Sequence, residues 1–505
     1  MAGVRRAFVL NAAERYSVIA VQFTMIAAVS RLLTPAEIGL SVVGSGIMTV
    51  ALSLREFVTS EFLVQRRDIS REDVRTSFTV LFAVSATVAA ALAATTPWIA
   101  DFYGEPGLAR YLRVTTAACV VETLALPITA LLRRDMAFGA LAVINAASAV
   151  AGAAVTLILA ILGFSYMSFA WALLAASATS SLLAFAFRPE AWILRPSLAS
   201  WRGALAFGCF NGSTIILTRI YDSLPQLVLG RFLPLSTVAL YNRASMVCGL
   251  PDRFILSGVF SVAYPAFAAE VRRGGDLKRP YLDALSYITV LHWPALLVLA
   301  LLAHPAVLLI LGGQWLGTAP LIQIMAVASL SWFPVILTYP VLVSLGALRD
   351  NFASKLLSVA LAAPILCLAS AFGVTAMAAS LFLTLPIQML VSLSFVRRHV
   401  PFAWWEIPAA VGRSAVVTLC SVLGPAAVLV LSGGGGELSA GATTAASLLA
   451  IAGWAAGLAA TRHPFLKEIR RTLEAVGGQA VLLRLARVRF RPFGRPRPAG
   501  TGETS

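Results

Sequence analysis

Fourteen long apolar stretches constrain this chain more than any other feature of its sequence. They run approximately over 9–33, 38–63, 77–100, 111–131, 138–162, 165–187, 203–229, 235–265, 281–303, 317–346, 352–371, 374–396, 407–431 and 438–460. A helix that crosses a bilayer needs about 20 mostly apolar residues, whereas the strands of a membrane barrel alternate over about ten. These runs are rich in Ala, Leu and Val and do not alternate. They predict an all-α polytopic membrane protein of about 14 transmembrane helices. Only 12% of the residues are charged and 59% are hydrophobic, about half the charge of a soluble protein.

The distribution of charge predicts orientation. Alternate connections carry the basic residues, among them Arg66, Arg67, Arg71, Arg75, Arg133, Arg134, Arg188, Arg195, Arg272, Arg273, Lys278, Arg349, Lys355, Arg397 and Arg398, while the intervening connections are nearly free of them. By the positive-inside rule both termini and the basic loops face the cytoplasm of a bacterial inner membrane. The net charge of +16 is accounted for by that rule, and no nucleic acid partner is expected. Cys119, Cys209, Cys248, Cys367 and Cys420 are scattered without a CxxC pair, so neither a disulfide framework nor a zinc site is indicated. From Thr461 onward ten Lys or Arg stand against three Glu. That tail reads either as an interfacial amphipathic helix on anionic membrane lipids or as a solvated basic end.

An internal repeat predicts the architecture. Residues 29–40, VSRLLTPAEIGL, align without a gap on 229–240, LGRFLPLSTVAL, with Arg31 on Arg231, Leu33 on Leu233 and Leu40 on Leu240. Both copies follow the first helix of a six-helix unit. The expected organisation is an N-terminal lobe over 1–200, a C-terminal lobe over 201–400, two added helices over 401–460 and a basic tail over 461–505. Parallel repeats of this kind are a common transporter plan, with the substrate between the lobes.

No GxxxxGK[ST], HExxH or GxSxG pattern occurs, so the sequence assembles no recognisable ATPase, zinc protease or serine hydrolase site and no cofactor is expected. What remains is charge inside apolar sequence, which costs on the order of 3 kcal/mol for a single Arg or Asp at a helix centre. The stretch Arg219 to Arg243 is richest in it. Arg219 and Asp222, three residues apart, share a helix face; Asn211, Gln226, Tyr241 and Arg243 flank them, and Arg55, Glu56, Glu122 and Asn145 are their counterparts in the first lobe. One reading makes these the wall of a polar cavity whose arginines suit an anionic, phosphate-bearing cargo. The other makes them structural: Arg219 pairing with Asp222, Arg55 with Glu56 and Asp252 with Arg253, the asparagines and glutamine bridging helices. Pro225, Pro251, Pro265, Pro294 and Pro334 are expected to interrupt their helices, as gating bends or as static kinks.

The segments SRLLTPAEIGL at 30–40, FVTSEFLVQRRDIS at 57–70, YDSLPQLVLGRFLPLSTVALYNRA at 221–244, AYPAFA at 263–268 and GGQWLGTAPLIQIMA at 312–326 resemble the oligosaccharide flippases of the polysaccharide transporter family. That family lies in the superfamily that also holds multidrug and toxin extrusion exporters and lipid II flippases. One departure is Ala239, where the family usually carries Gly two residues before the tyrosine, here Tyr241. The resemblance implies a V-shaped, two-lobed transporter that alternates between inward- and outward-facing states. Its cargo would be an undecaprenyl diphosphate-linked oligosaccharide for exopolysaccharide, capsule or O-antigen synthesis, with Arg219 and Asp222 in the central cavity. Coupling to a proton or sodium ion through Asp222, Glu56 or Glu122, work beside a polysaccharide polymerase and export machinery, and a functional monomer complete the expectation. The alternative on the same fold is an ion-coupled drug or cation exporter, for which the cavity would be mainly acidic and aromatic.

Overall fold

Apolar residues with high helical propensity, punctuated by Gly and Pro at the connections, leave the backbone one way to satisfy its polar groups in lipid, and the chain takes it. The computed structural model describes residues 21, 24–57, 70–198, 201–253, 266–433 and 438–475. Among these the fold is all-helical, and eleven helices are long and apolar enough to cross a membrane. The expected first span and the C-terminal part of the eighth fall largely outside the described residues, as do the motif over 58–69 and the tail beyond 475.

After a helical stretch over 24–32 come α1 (Pro35–Ser53), α2 (Arg71–Tyr103), α3 (Pro106–Arg134), α4 (Phe138–Ile161) and α5 (Met167–Phe187). The second half begins with α6 (Trp201–Phe232), α7 (Leu235–Cys248) and α8 (Lys278–Leu301). It continues with the short α9 (Ala303–Ile310), α10 (Ala319–Ala328), α11 (Phe333–Ser344), α12 (Leu348–Ser370), α13 (Val374–Ala379) and α14 (Leu381–His399). Last are α15 (Glu406–Leu431), α16 (Ala440–Thr461) and the short α17 (Phe465–Ala475). Helix α1 starts where the repeat says it should: Thr34 accepts from the Glu37 amide, the Glu37 carboxylate accepts from the Thr34 amide, and Pro35 opens the first turn, a capping box with proline at its preferred place. In the second copy Pro234 caps α7. Ala239 is fully buried in the interior of that helix, where no turn exists for a glycine to serve.

Two expectations are corrected. The connection over 303–313 is not an open loop but carries α9, and the span over 317–346 is not one continuous helix. It breaks into a 3-10 turn at Ser329–Trp332, because Pro334 lacks the amide hydrogen that would bond the Leu330 carbonyl. That carbonyl accepts from Trp293 Nε1 at 2.9 Å instead. Pro294 is treated the same way: α8 runs through it unbroken, and the Val290 carbonyl it frees accepts from Trp454 Nε1 at 2.9 Å. Pro225 likewise lies inside continuous α6, so neither Pro225 nor Pro294 interrupts its helix as expected. Pro251 falls just after the turn at Gly249, and Pro265 lies outside the described residues.

Lipid tails are as apolar as Leu, so close van der Waals packing and interhelical hydrogen bonds must hold the helices together. Helices α15 and α16 pack tightly on each other and on α8; a Cβ on Gly453 would lie 2.9 Å from the Cys420 carbonyl carbon. The first and second halves of the chain meet where α1 packs against α6 and α7. Leu40, Val43, Leu229, Val238 and Trp315 belong to one continuous core across this seam. Its glycines set the spacing, since a Cβ on Gly39 would overlap the Leu235 carbonyl oxygen and one on Gly230 would lie 2.6 Å from Val43 Cγ2. At the helix ends away from the basic connections, Trp315 Nε1 donates to the Ser30 carbonyl at 2.6 Å, Gln314 Nε2 to the Leu33 carbonyl at 3.1 Å and Arg31 to the Leu309 carbonyl at 2.8 Å.

Candidate functional site

Behind that seam lies a cavity of about 390 Å³. Helix α6 contributes Asp222 and Gln226; α7 and the turn after it contribute Tyr241, Asn242, Ser245 and Asp252; Trp332 of the 3-10 break and apolar residues of α12 and α14 close it. A second cavity of about 300 Å³, lined by Thr218, Asn351, Ser354, Lys355 and Gln388, shares Trp332 with the first. Tyr221 stands at the boundary: its hydroxyl accepts from Gln388 Nε2 at 2.9 Å, and Lys355 Nζ sits 5.4 Å from its ring centroid. Asp222 is solvent-accessible on its cavity side, and its strongest cationic neighbour is Lys355, with Arg219 second. Such a cluster of both signs is tolerable in a membrane only where its members face one another or water.

The sequence-derived candidates separate on this geometry. Asp222, Gln226 and Tyr241 line the larger cavity. Arg219 is exposed one turn away and makes no ion pair with Asp222 among the described residues, so the self-neutralising pair is not what forms. Arg243 is turned into the core: it is 6% exposed, its guanidinium lies 5.5 Å from the Trp315 ring centroid, Nη1 reaches Met246 Sδ at 3.6 Å and Nε has no partner. Arg231 stacks on Phe102 at 5.0 Å, away from both cavities. Arg55 pairs with Glu122 at 3.2 Å; its expected pairing with Glu56 falls on a side chain outside the described residues. Asn145 is exposed on α4, apart from the cavity. The side chains of Glu56 and Asn211 lie outside the described residues.

The arginine-lined cavity expected from the sequence is therefore not what the second half builds around Asp222. The charged residues in its described wall are acidic, Asp222 and Asp252, set among Tyr221, Tyr241, Trp332 and a majority of uncharged polar and aliphatic residues, and the cations Lys355 and Arg219 lie nearby. An apolar span beginning at 352 leaves Lys355 at its edge, among the basic loop residues. Helix α12 begins at Leu348, which puts Lys355 about 10 Å inside at 1.5 Å per residue. Gln388, an amide amid apolar residues, carried a signal that was passed over. Among the described residues Asp252 does not pair with Arg253 but faces His292, with 2.6 Å between Oδ1 and Nε2.

Residues 28–320 match the sequence profile described as polysaccharide biosynthesis protein. The chain belongs to this family. It is similar to the lipopolysaccharide biosynthesis protein WzxC of Escherichia coli (strain K12), 27% identical over 314 residues that cover 61% of this chain and 63% of that protein. It is also similar to the succinoglycan biosynthesis transport protein ExoT of Rhizobium meliloti (strain 1021), 27% identical over 320 residues that cover 61% of this chain and 62% of that protein. The matched segments thus span somewhat under two thirds of these relatives. Among solved structures, the lipid II flippase MurJ in an inward closed conformation superposes with a TM-score of 0.68 at 11% identity, covering 89% of this chain and 98% of that one. At that identity the likeness concerns the fold alone.

Proposed function

We propose that this member of the polysaccharide biosynthesis family flips an undecaprenyl diphosphate-linked oligosaccharide across the bacterial inner membrane by alternating access. The observation that carries the proposal is a cavity of about 390 Å³ in the second half of a chain of that family, with carboxylate, amide and hydroxyl groups among its apolar lining. A cargo with a charged head, a sugar and a long lipid needs a cleft that hydrates the head while the tail stays in lipid. Asn242, Ser245, Gln226 and Tyr241 supply hydrogen bonds suited to sugar hydroxyls, and Lys355 and Arg219 are the cations nearest the cavity for a diphosphate. In this reading the termini and basic loops are cytoplasmic, and the contacts of Arg31, Gln314 and Trp315 close the periplasmic end. Those contacts must part for release. The chain works as a monomer, supplies a polymerase and export machinery, and draws on a proton or sodium gradient.

A second reading is favoured by one specific observation: Asp222, Asp252 and three aromatic residues are the lining that an ion-coupled exporter of organic cations would need. The two readings separate in cells lacking the protein. Accumulation of lipid-linked oligosaccharide on the cytoplasmic leaflet, reversed by the parent chain but not by an Asp222→Asn, Lys355→Met variant at matched membrane abundance, supports the flippase. An unchanged leaflet distribution, with increased sensitivity to cationic dyes, overturns it in favour of the exporter.

A further inference from the structure

We propose that Asp252 and His292 form a proton-binding site through which the cavity's charge follows the proton gradient; the inference rests on the transporter reading above. The two residues are 40 positions apart and come together from helices with different duties. Asp252 follows α7, the helix that packs against α1 at the seam, while His292 lies in α8, which packs against α15. His292 Nε2 and Asp252 Oδ1 approach to 2.6 Å; the imidazole is 1% exposed and the carboxylate 31%, its open side lining the cavity. The contact is off-axis, because neither ring nitrogen nor Oδ1 has an aligned hydrogen-bond partner. A buried imidazole with both nitrogens unmatched is costly unless it exchanges a proton with the group it faces.

Among the described residues around Asp252 the titratable or charged groups are Cys248, which interacts with it electrostatically, the adjacent Arg253, and Tyr221, Asp222 and Tyr241 lining the same cavity. Of the helices packed on α8, α10, α16 and the 3-10 turn Ser329–Trp332 carry no ionisable side chain, α11 carries only Tyr339 and α9 only His304. Helix α15 carries Glu406 and Arg413 at its start and Cys420 further along, and at the level of Val290 it presents Val417. The described segment 266–272, whose Phe267 packs with Tyr281 and Leu285 of α8, adds Glu270 and Arg272.

The step balances simply. A proton from cavity water passes to Nε2, directly or by way of Oδ1, with no other bond made or broken; the neutral imidazole beside a carboxylate becomes an imidazolium–carboxylate pair. Histidine is the side chain suited to make that change near neutral pH. The cavity wall then changes by one unit of charge, from two carboxylates facing it to one carboxylate and one neutralised pair. The protonated pair also ties the seam helix to α8, so the same proton biases the equilibrium between a closed and an open seam.

The test uses ring-¹⁵N-histidine-labelled full-length protein in nanodiscs. The chain has four histidines, so His292→Gln assigns the signal by removing it. The expected result is a His292 ring-nitrogen signal that changes with pH, with that change altered by the isosteric Asp252→Asn. In proteoliposomes loaded with undecaprenyl diphosphate-linked oligosaccharide, His292→Gln is expected to move cargo down its own gradient and to lose the acceleration given to the parent by an imposed pH gradient. A signal that ignores pH or ignores Asp252→Asn overturns the proposal, as does full gradient acceleration in His292→Gln. A parent chain that moves no oligosaccharide while the His292 signal titrates as stated removes the flippase reading and leaves the proton site standing.

Discussion

Gly39 is where a single carbon atom tests whether the seam between the halves is a working surface. A Cβ there would overlap the Leu235 carbonyl oxygen, lie 2.5 Å from the carbonyl carbon and 3.0 Å from Leu235 Cβ. Ordinary carbon–carbon contact is about 3.5–4.0 Å, so α1 and α7 must separate by roughly 1 Å locally. The obstacle is backbone, which cannot swing aside as a side chain would. Overpacking of this kind costs about 1–3 kcal/mol. If about 2 kcal/mol falls on the closed seam alone, the closed-to-open ratio drops roughly 30-fold, at tenfold per 1.4 kcal/mol. Spin labels at Leu32 and Leu309, both exposed at the end where the seam closes, report this by pulsed distance measurement in a background without native cysteines. Gly39→Ala is expected to add a longer-distance population that Gly139→Ala lacks, since a Cβ on Gly139 meets nothing within 4 Å. A folded Gly39→Ala protein with the parent's distance distribution would refute the idea that this helix contact opens.

Three further outcomes follow from the geometry. Asp222→Asn and Lys355→Met are each expected to reduce transport at least tenfold at matched abundance, and the double variant to lose less than the product of the two. A multiplicative loss in that double-variant cycle would show that the pair does not couple. Trp454→Phe orphans the Val290 carbonyl that Pro294 has freed and is expected to cost about 1–3 kcal/mol, lowering the midpoint of thermal unfolding in detergent; Pro294→Ala in the same chain should restore most of it. His463 is buried between Ser286 and Ser414, with Nδ1 accepting from the Phe465 amide at 3.2 Å. Burial first and Arg413 second hold its titration down to about 4. Because the folded value is depressed, docking of α17 is fully supported above about pH 6.5 and weakens as the pH falls from there toward 4. Protonation also makes Nδ1 a donor and breaks the Phe465 bond. Hydrogen exchange over 465–475 at pH 7 and pH 5 checks this, and equal protection at both would count against it.

Particular residues mark how far the sequence could be read. Helical spans were legible because a bilayer core admits only helices and closed barrels and these runs do not alternate; eleven of the expected fourteen stand among the described residues, and the repeat at 29–40 and 229–240 located two helix starts that face each other. Asp222, Gln226 and Tyr241 were legible as polar groups in apolar surroundings. Arg243 carried the same signal and lies in the core on Trp315, because depth along a helix shows in sequence and azimuth shows only when the neighbouring helices are in place. Lys355 was hidden by an uncertainty of four residues at a helix start.

The sequence alone determined that this chain is a bundle of membrane helices, where its charged connections lie and which family it resembles, since those depend on local composition and spacing. Only the tertiary structure decided which charges come near each other: Lys355 as the strongest cationic neighbour of Asp222, Glu122 paired with Arg55, His292 facing Asp252. Each pair joins residues from 40 to over 130 positions apart, and their approach depends on the rotation and close packing of helices, set by contacts such as Gly39 against Leu235, rather than on any property of the segments that carry them.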